Sequence, residues 1–113
     1  MWQSRETIIA IARFCNKHGL HYLSDEIYAQ SVFNNQDAPE ATPFHSVLSL
    51  DLDRFIKPER VHVLYGAAKD FCANGLRLGA LYTRSAALRQ AMVTITYVHL
   101  RETTGTSDAT DAA

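Results

Sequence analysis

A strand–turn–strand signal in the second half of the chain constrains the fold most. The run VHVLYGA at residues 61–67 is β-branched and aromatic, which predicts a buried strand. The run RLGALYT at residues 77–83 predicts a second strand, and the pair Asn74-Gly75 between the two runs is a strong turn signal. We therefore expect this region to form a wide hairpin.

Local signals define the other elements. Ser4 has the side chain of a helix N-cap, apolar residues recur at helical spacing after it, and Gly19 suits a helix C-terminus, which together predict a helix over residues 5–18. The remaining predictions are a strand over 20–24, a polar loop over 34–43, a strand or irregular apolar segment over 44–50, a short helical turn within 51–60 that Pro58 ends, and a helix from an N-cap at Ser85 to about residue 97.

Alternation of helices and strands predicts an α/β fold, in which helices pack on a short mixed sheet. The apolar density of VHVLY indicates a strand buried on both faces, which requires more neighbouring elements than 113 residues supply. Residues 1–100 are therefore interpreted as part of a larger domain. Residues 101–113 are polar and rich in Thr, Ser, Asp and Ala without an apolar period, so we expect them to be disordered.

The composition and net charge argue against certain classes of binding partner. The chain is 47% hydrophobic and 20% charged with a formal net charge of -1, so we expect it to bind neither nucleic acid nor an anionic membrane. No apolar run is long enough for a membrane span, and the N-terminus is a poor signal peptide. Two distant cysteines, Cys15 and Cys72, form no disulfide framework, which favours reduced thiols in a cytoplasmic protein.

Four side chains are candidates for chemistry: Asp25, Tyr28, Lys69 and Arg77. Taken singly each has an ordinary explanation, because an aspartate after a strand usually forms a turn or caps a helix, a tyrosine usually belongs to the core, and a lysine or arginine is usually solvated. Asp25 and Lys69, however, each follow a buried strand, and ligands of open α/β sheets bind outside such strand ends.

Other polar residues give weaker signals. His18 and His21 have no third ligand at useful spacing, so no metal site is predicted. His62, inside a strand, is interpreted as a core or interface residue. Cys72 is near Lys69, but we interpret it as a small buried thiol rather than a reactive one.

In combination, the segments SDEIYA and YGAAKDFCANGLRLG resemble the fold type I pyridoxal-phosphate enzymes of the class I/II aminotransferase branch. The closest resemblance is to the 1-aminocyclopropane-1-carboxylate synthase-like aminotransferases, especially the fungal ones. It covers roughly residues 5–98 and does not extend to the tail. It implies that residues 1–100 are part of the aminotransferase large domain, with a strand–turn–strand around Lys69.

The resemblance also implies a role for each candidate residue. Lys69 matches the catalytic lysine that forms a Schiff base with the aldehyde of pyridoxal 5'-phosphate. Asp25 matches the carboxylate that pairs with the pyridine nitrogen, Tyr28 the phenol that hydrogen-bonds the 3′-oxygen, and Arg77 the arginine that clamps the phosphate. Gly66 departs from the pattern, because the family usually has a serine or threonine there that binds the phosphate.

The function implied is aminotransferase-like, in amino-acid metabolism or secondary-metabolite biosynthesis, with an amino acid as substrate and association as a homodimer or with a full-length relative. The polar tail, and the absence of other segments that such enzymes use to build the site, suggest a truncated form. The alternative is a non-catalytic remnant that binds no cofactor and at most associates with a related subunit.

Overall fold

A computed structural model describes residues 3–33, 36–37 and 39–104 of the chain. Three helices and three strands are present in that part: α1 (Arg5–Lys17), β1 (Tyr22–Asp25), β2 (Val61–Gly66), α2 (Ala67–Asp70), β3 (Gly79–Thr83) and α3 (Ala86–Thr104). Short 3-10 turns occur at Val47–Ser49, Pro58–Arg60 and Asn74–Leu76. The predicted α/β class is confirmed.

The three strands form one mixed sheet in the order β1-β2-β3. β1 runs parallel to β2, with Asp25 opposite Leu64 at the end of the pairing. β2 runs antiparallel to β3 from the His62–Thr83 pair to the Gly66–Gly79 pair, so the predicted hairpin is confirmed. Because β1 and β2 are parallel, their carboxyl ends lie at the same edge of the sheet.

Helix α1 forms where its local signals predict it. The Ser4 side chain accepts a hydrogen bond from the Thr7 N–H, and Gly19 after the helix has a φ of +67°, which glycine adopts without steric cost. Its buried residues, Ile8, Ala12 and Cys15, make one apolar face.

The core lies on one face of the sheet. Tyr22, Val61 and Val63 point toward the apolar face of α1 and pack with Val47, Leu52 and Ile56 from the long connection between β1 and β2. On the other face, Leu23 is 54% exposed and Leu64 is 38% exposed. The prediction that β2 is buried on both faces is therefore wrong at Leu64, because no other described element covers that part of the sheet.

The connection between β1 and β2 differs from the predictions in detail. Residues 44–50 contain a 3-10 turn capped by Ser46 rather than a strand. A helical turn does form within 51–60, since the Ile56 N–H donates to the Leu52 carbonyl at 3.0 Å. Pro58 begins the next 3-10 turn instead of ending this one, because its fixed φ and missing N–H suit a first helical position.

Helix α3 continues beyond its predicted end. It begins after Ser85, whose hydroxyl accepts from the Leu88 N–H at 3.2 Å, and it extends to Thr104. Residues 101–104 were therefore wrongly expected to be disordered; no glycine or proline interrupts the helix before Gly105. Residues 105–113 lie outside the described residues. Within the described part of the chain, no helix is long and apolar enough to cross a membrane.

Candidate functional site

The parallel pairing of β1 and β2 brings two of the candidate residues to one edge of the sheet. Asp25 is the last residue of β1, and Lys69 lies in α2, which follows β2 directly. The Glu26 N–H donates to the Leu64 carbonyl at 2.9 Å, so the strands remain paired just past Asp25. The strand-end argument from the sequence thus places Asp25 and Lys69 at the same edge.

A cavity of about 480 Å³ opens beside the end of β1, and both Asp25 and Tyr28 line it. Its other lining residues include Gln3, Glu26 and His45, so a carboxylate, a phenol and further polar groups share the cavity with apolar walls. Lys69 and Arg77 do not line it. The structure therefore groups the four predicted residues into two pairs, one in the cavity and one on the segment that joins β2 to β3.

Asp25 and Tyr28 lie in a tight turn after β1. One carboxylate oxygen of Asp25 accepts a hydrogen bond from the Ile27 N–H at 3.2 Å, as in an Asx turn. Tyr28 is 49% exposed, and its carbonyl accepts from the Ser31 N–H at 3.1 Å. Asp25 is thus a turn former, as its ordinary explanation predicts, while its side chain also lines the cavity.

Glu26, a residue that the sequence did not single out, fixes this turn to the core. It is only 5% exposed, and its Oε1 accepts from the Ser24 hydroxyl at 3.1 Å and from the Val47 N–H at 2.9 Å. A buried carboxylate that satisfies two donors orders the groups around it. No local signal could identify it, because one of the donors lies 21 residues away.

Lys69 and Arg77 occupy the two arms of the loop that joins β2 to β3. The Ala67 N–H donates to the Leu78 carbonyl at 3.3 Å and closes the base of this loop. Both side chains are exposed. The loop therefore exposes both cations on the same short segment of the chain.

The backbone of this loop is unusual at two positions. Arg77 and Cys72 have φ values of 49° and 50°, in the left-handed region that residues with a Cβ seldom adopt. The Arg77 guanidinium also donates to the Asn74 carbonyl at 3.5 Å. Cys72 is exposed, so its interpretation as a buried thiol was wrong: it lies in the exposed loop after α2 rather than in the core.

Asp70, which the sequence analysis did not identify, connects the two pairs. Its Oδ2 accepts from the Gln30 N–H and from the Tyr65 hydroxyl, both at 3.0 Å, and its Oδ1 accepts from the Ser31 hydroxyl. These donors, the Ser31 hydroxyl first among them, hold the pKa of the Asp70 carboxyl below its usual range. The carboxylate thus joins α2 to the turn that carries Tyr28.

The side chains at this edge fit pyridoxal phosphate by their chemistry. Lys69 carries a primary amine, Asp25 a carboxylate, Tyr28 a phenol and Arg77 a planar cation, which are the kinds of group that the aldehyde, ring nitrogen, 3′-oxygen and phosphate of this cofactor would need. Gly66 supplies no hydroxyl. A Cβ at this glycine would meet Ile27 carbons at 3.4 Å, at the lower limit of ordinary contact, so a β-carbon fits here.

Comparison with known proteins gives a family. The family described as Aminotransferase class I and II matches residues 3–113. The match includes residues 101–113, to which the predicted resemblance did not extend.

Three curated relatives illustrate the similarity. Probable aminotransferase aclI of Aspergillus oryzae is 42% identical over 74 residues, which are 65% of this chain and 18% of the relative. 1-aminocyclopropane-1-carboxylate synthase-like protein 1 of Mus musculus is 38% identical over 96 residues, 85% of this chain and 18% of the relative. Probable inactive 1-aminocyclopropane-1-carboxylate synthase-like protein 2 of Homo sapiens is 35% identical over 96 residues, 85% of this chain and 16% of the relative. The chain spans less than a fifth of the length of each.

Proposed function

This chain belongs to the class I and II aminotransferase family, and we propose that it binds pyridoxal 5'-phosphate with Lys69 as the Schiff-base residue. The observation that supports this most directly is the placement of Asp25 and Lys69 at the carboxyl ends of two adjacent parallel strands, with Asp70 linking their segments. Residues 1–100 would then be part of the large domain of an aminotransferase-like protein that acts on an amino acid.

Each proposed residue has a defined task. When bound, pyridoxal phosphate supplies an electron sink for the negative charge that develops at the substrate α-carbon. The carboxylate of Asp25 keeps a proton on the ring nitrogen through charge attraction, and the phenol of Tyr28 donates to the 3′-oxygen. The Nζ atom of Lys69 would hold the aldehyde group of the cofactor and, as a free amine, would move a proton to or from the substrate α-carbon.

Arg77 is proposed to bind the phosphate. A guanidinium offers two parallel N–H donors to phosphate oxygens, which positions the group as well as neutralising it. The left-handed backbone at Arg77 supports this role, because strained conformations of order 1–3 kcal/mol persist where surrounding structure or a ligand requires them.

The assembly of a complete site is part of the proposal. We propose that the chain acts as a homodimer or with a longer relative, which would supply the remaining groups around the cofactor. The two unpaired thiols, Cys15 and Cys72, support a reducing, cytoplasmic compartment.

A second candidate is a non-catalytic protein that binds no cofactor. Three observations favour it: Gly66 replaces a phosphate-binding hydroxyl, Lys69 and Arg77 do not line the cavity that holds Asp25 and Tyr28, and two similar proteins are named probable inactive. Under this alternative the chain would at most associate with a related subunit.

Trapping the cofactor separates the two candidates. We expect pyridoxal phosphate added to the purified chain to give a visible absorbance band, and borohydride followed by peptide mapping to place the pyridoxyl group on Lys69. The chain supplies its own controls, because its other lysines, Lys17 and Lys57, are also exposed. Labelling concentrated on Lys69 and lost in Lys69→Ala supports cofactor binding, whereas equal labelling of all three lysines supports the non-catalytic candidate.

A further inference from the structure

Asp70 accepts hydrogen bonds from three residues in two parts of the chain, the turns after β1 and strand β2. The Gln30 amide and the Ser31 hydroxyl lie 40 and 39 residues away, and the Tyr65 hydroxyl lies in the neighbouring strand β2. A carboxylate that accepts several donors exchanges water for fixed partners and restricts all of them.

These contacts join the turns after β1 to the short helix α2. Gln30 and Ser31 follow Tyr28 in the turns after β1, and the Ser31 N–H donates to the Tyr28 carbonyl. Asp70 itself is the residue after Lys69, in the same short helix α2. The Asp70 side chain therefore ties the segment that follows Tyr28 to the helix that carries Lys69.

We propose that Asp70 is a positioning residue that holds the Tyr28 phenol in place relative to the Lys69 amine. This inference rests on the proposed cofactor site, because the relation between the two residues matters only if both meet one ligand. Asp70 contacts neither the cofactor nor the substrate in this role. It acts through the turn that it binds.

The positioning role of Asp70 predicts a chemical effect that a purely stabilising role would not produce. A phenol that donates to the 3′-oxygen stabilises the negative charge on that oxygen, and this charge is greatest when the Lys69 adduct carries no proton. Loosening the turn weakens this donation. The pH midpoint of the absorbance of the Lys69 adduct should therefore rise, as it should when the phenol is removed.

The first test uses the chain without cofactor. In Asp70→Ala the Gln30 amide loses its acceptor, and we expect its hydrogen exchange to accelerate about tenfold, the factor typical of one hydrogen bond. Asp70→Asn keeps an acceptor oxygen and should retain most of the protection. Asp53→Ala is the matched control, because Asp53 pairs with Arg84 at 3.2 Å outside this cluster. Unchanged exchange at Gln30 in Asp70→Ala overturns the proposal.

The second test uses the unreduced imine that pyridoxal phosphate forms with Lys69, measured without borohydride. We expect Asp70→Ala to raise the pH midpoint of its absorbance by about one pH unit, in the same direction as Tyr28→Phe. In the double variant the Asp70 change should add little, because both act through the same phenol. Asp70→Asn should restore most of the original midpoint.

The outcomes are distinguishable. An unshifted midpoint in Asp70→Ala, or a shift that persists in full in the Tyr28→Phe background, overturns the positioning role and leaves the cofactor site standing. Absence of a Lys69 adduct in the unmodified chain overturns the cofactor site and the positioning role together.

Discussion

His62 is the most deeply buried polar side chain among the described residues, and it lies in a chain of hydrogen bonds across the sheet. It is 3% exposed, its Nε2 lies 2.7 Å from Nδ1 of His21, and its Nδ1 lies 2.8 Å from the Thr83 hydroxyl. The Thr83 hydroxyl also accepts from the Ser85 N–H at 3.0 Å. His62 is buried, in agreement with its interpretation as a core or interface residue, and its partners link β2 to β3 and to the residue just before β1.

This arrangement predicts a loss of stability in mild acid. Burial first, and the charge of His21 second, lower the pKa of His62. The unfolded chain therefore binds more protons than the folded chain as the pH falls through about 6.5, the ordinary value for histidine. The contribution of His62 is fully present above that pH and is lost as the pH falls toward the lowered pKa.

Urea unfolding at pH 7.5 and at pH 5.5 measures this effect. The urea concentration at the unfolding midpoint of the unmodified chain should be lower at pH 5.5 than at pH 7.5. The decrease should be smaller in His62→Gln, because glutamine does not titrate. An equal decrease in both proteins would assign the pH dependence to other groups.

The two cysteines should differ in reactivity. Cys72 is exposed, whereas Cys15 is 7% exposed and lies on the apolar face of α1, in the core. In the native chain we expect one thiol to react rapidly with a disulfide reagent and the second to react only after unfolding. Cys72→Ser should remove the rapid phase. A rapid phase that remains in this variant would mean that Cys15 is accessible.

At the scale of elements, the sequence predicted those whose determining contacts lie between residues close together in the chain. Helix α1 was predicted closely because Ser4 and Gly19 mark its ends within one turn. The hairpin was predicted because apolar runs and a turn signal are read from adjacent residues. The 3-10 turn at Val47–Ser49 was not predicted: Ser46 caps it locally, but the contact that holds Val47 in place comes from Glu26, 21 residues earlier.

The candidate site shows the same limit. The strand-end argument located Asp25 and Lys69 at one edge, since parallel pairing alone brings them there. It could not show that Arg77 has a left-handed backbone, nor that Asp70 binds the turn after β1, because both depend on tertiary packing. The roles of the four residues came from the resemblance and stay predictions.

The start of helix α2 allows a test of Gly66, which stands where the family usually has a serine or threonine. Gly66 is its N-cap and makes no side-chain hydrogen bond there. In Gly66→Ser the added Cβ fits beside Ile27, and the hydroxyl can either cap α2 or bind a phosphate. We expect stability to change by only a few tenths of a kcal/mol and the affinity for pyridoxal phosphate to rise about tenfold, since a hydrogen bond to a charged group contributes about 1.5 kcal/mol.

Gly66→Ala is the matched control, because it adds the same Cβ without the hydroxyl. Titration of the visible absorbance band with pyridoxal phosphate measures all three affinities. A gain in the serine variant alone supports phosphate binding at this position. Equal affinity of the serine and alanine variants would show that no phosphate lies within reach of residue 66.

At the scale of the whole molecule, the described chain leaves several apolar surfaces uncovered. Leu23 and Leu64 are exposed on the open face of the sheet, Leu76 is 74% exposed in the loop before β3, and Val93 is 65% exposed on α3. Exposed apolar surface of this kind marks places where other protein packs. It agrees with a chain that spans less than a fifth of its relatives, and it supports the proposed association with a second chain.

Two neighbouring residues of β2 test this one-sided sheet directly. Val63 is 6% exposed and faces the core, whereas Leu64 is 38% exposed and faces the open side. If side-chain size alone determined the loss of stability, Leu64→Ala would destabilise the chain more than Val63→Ala, because it removes more carbon atoms. Since burial sets the cost, we expect Val63→Ala to lower the free energy of unfolding by about 2 kcal/mol and Leu64→Ala by less than about 1 kcal/mol. Denaturant unfolding of the two variants gives the order, and the reverse order would show that the open face is covered in solution.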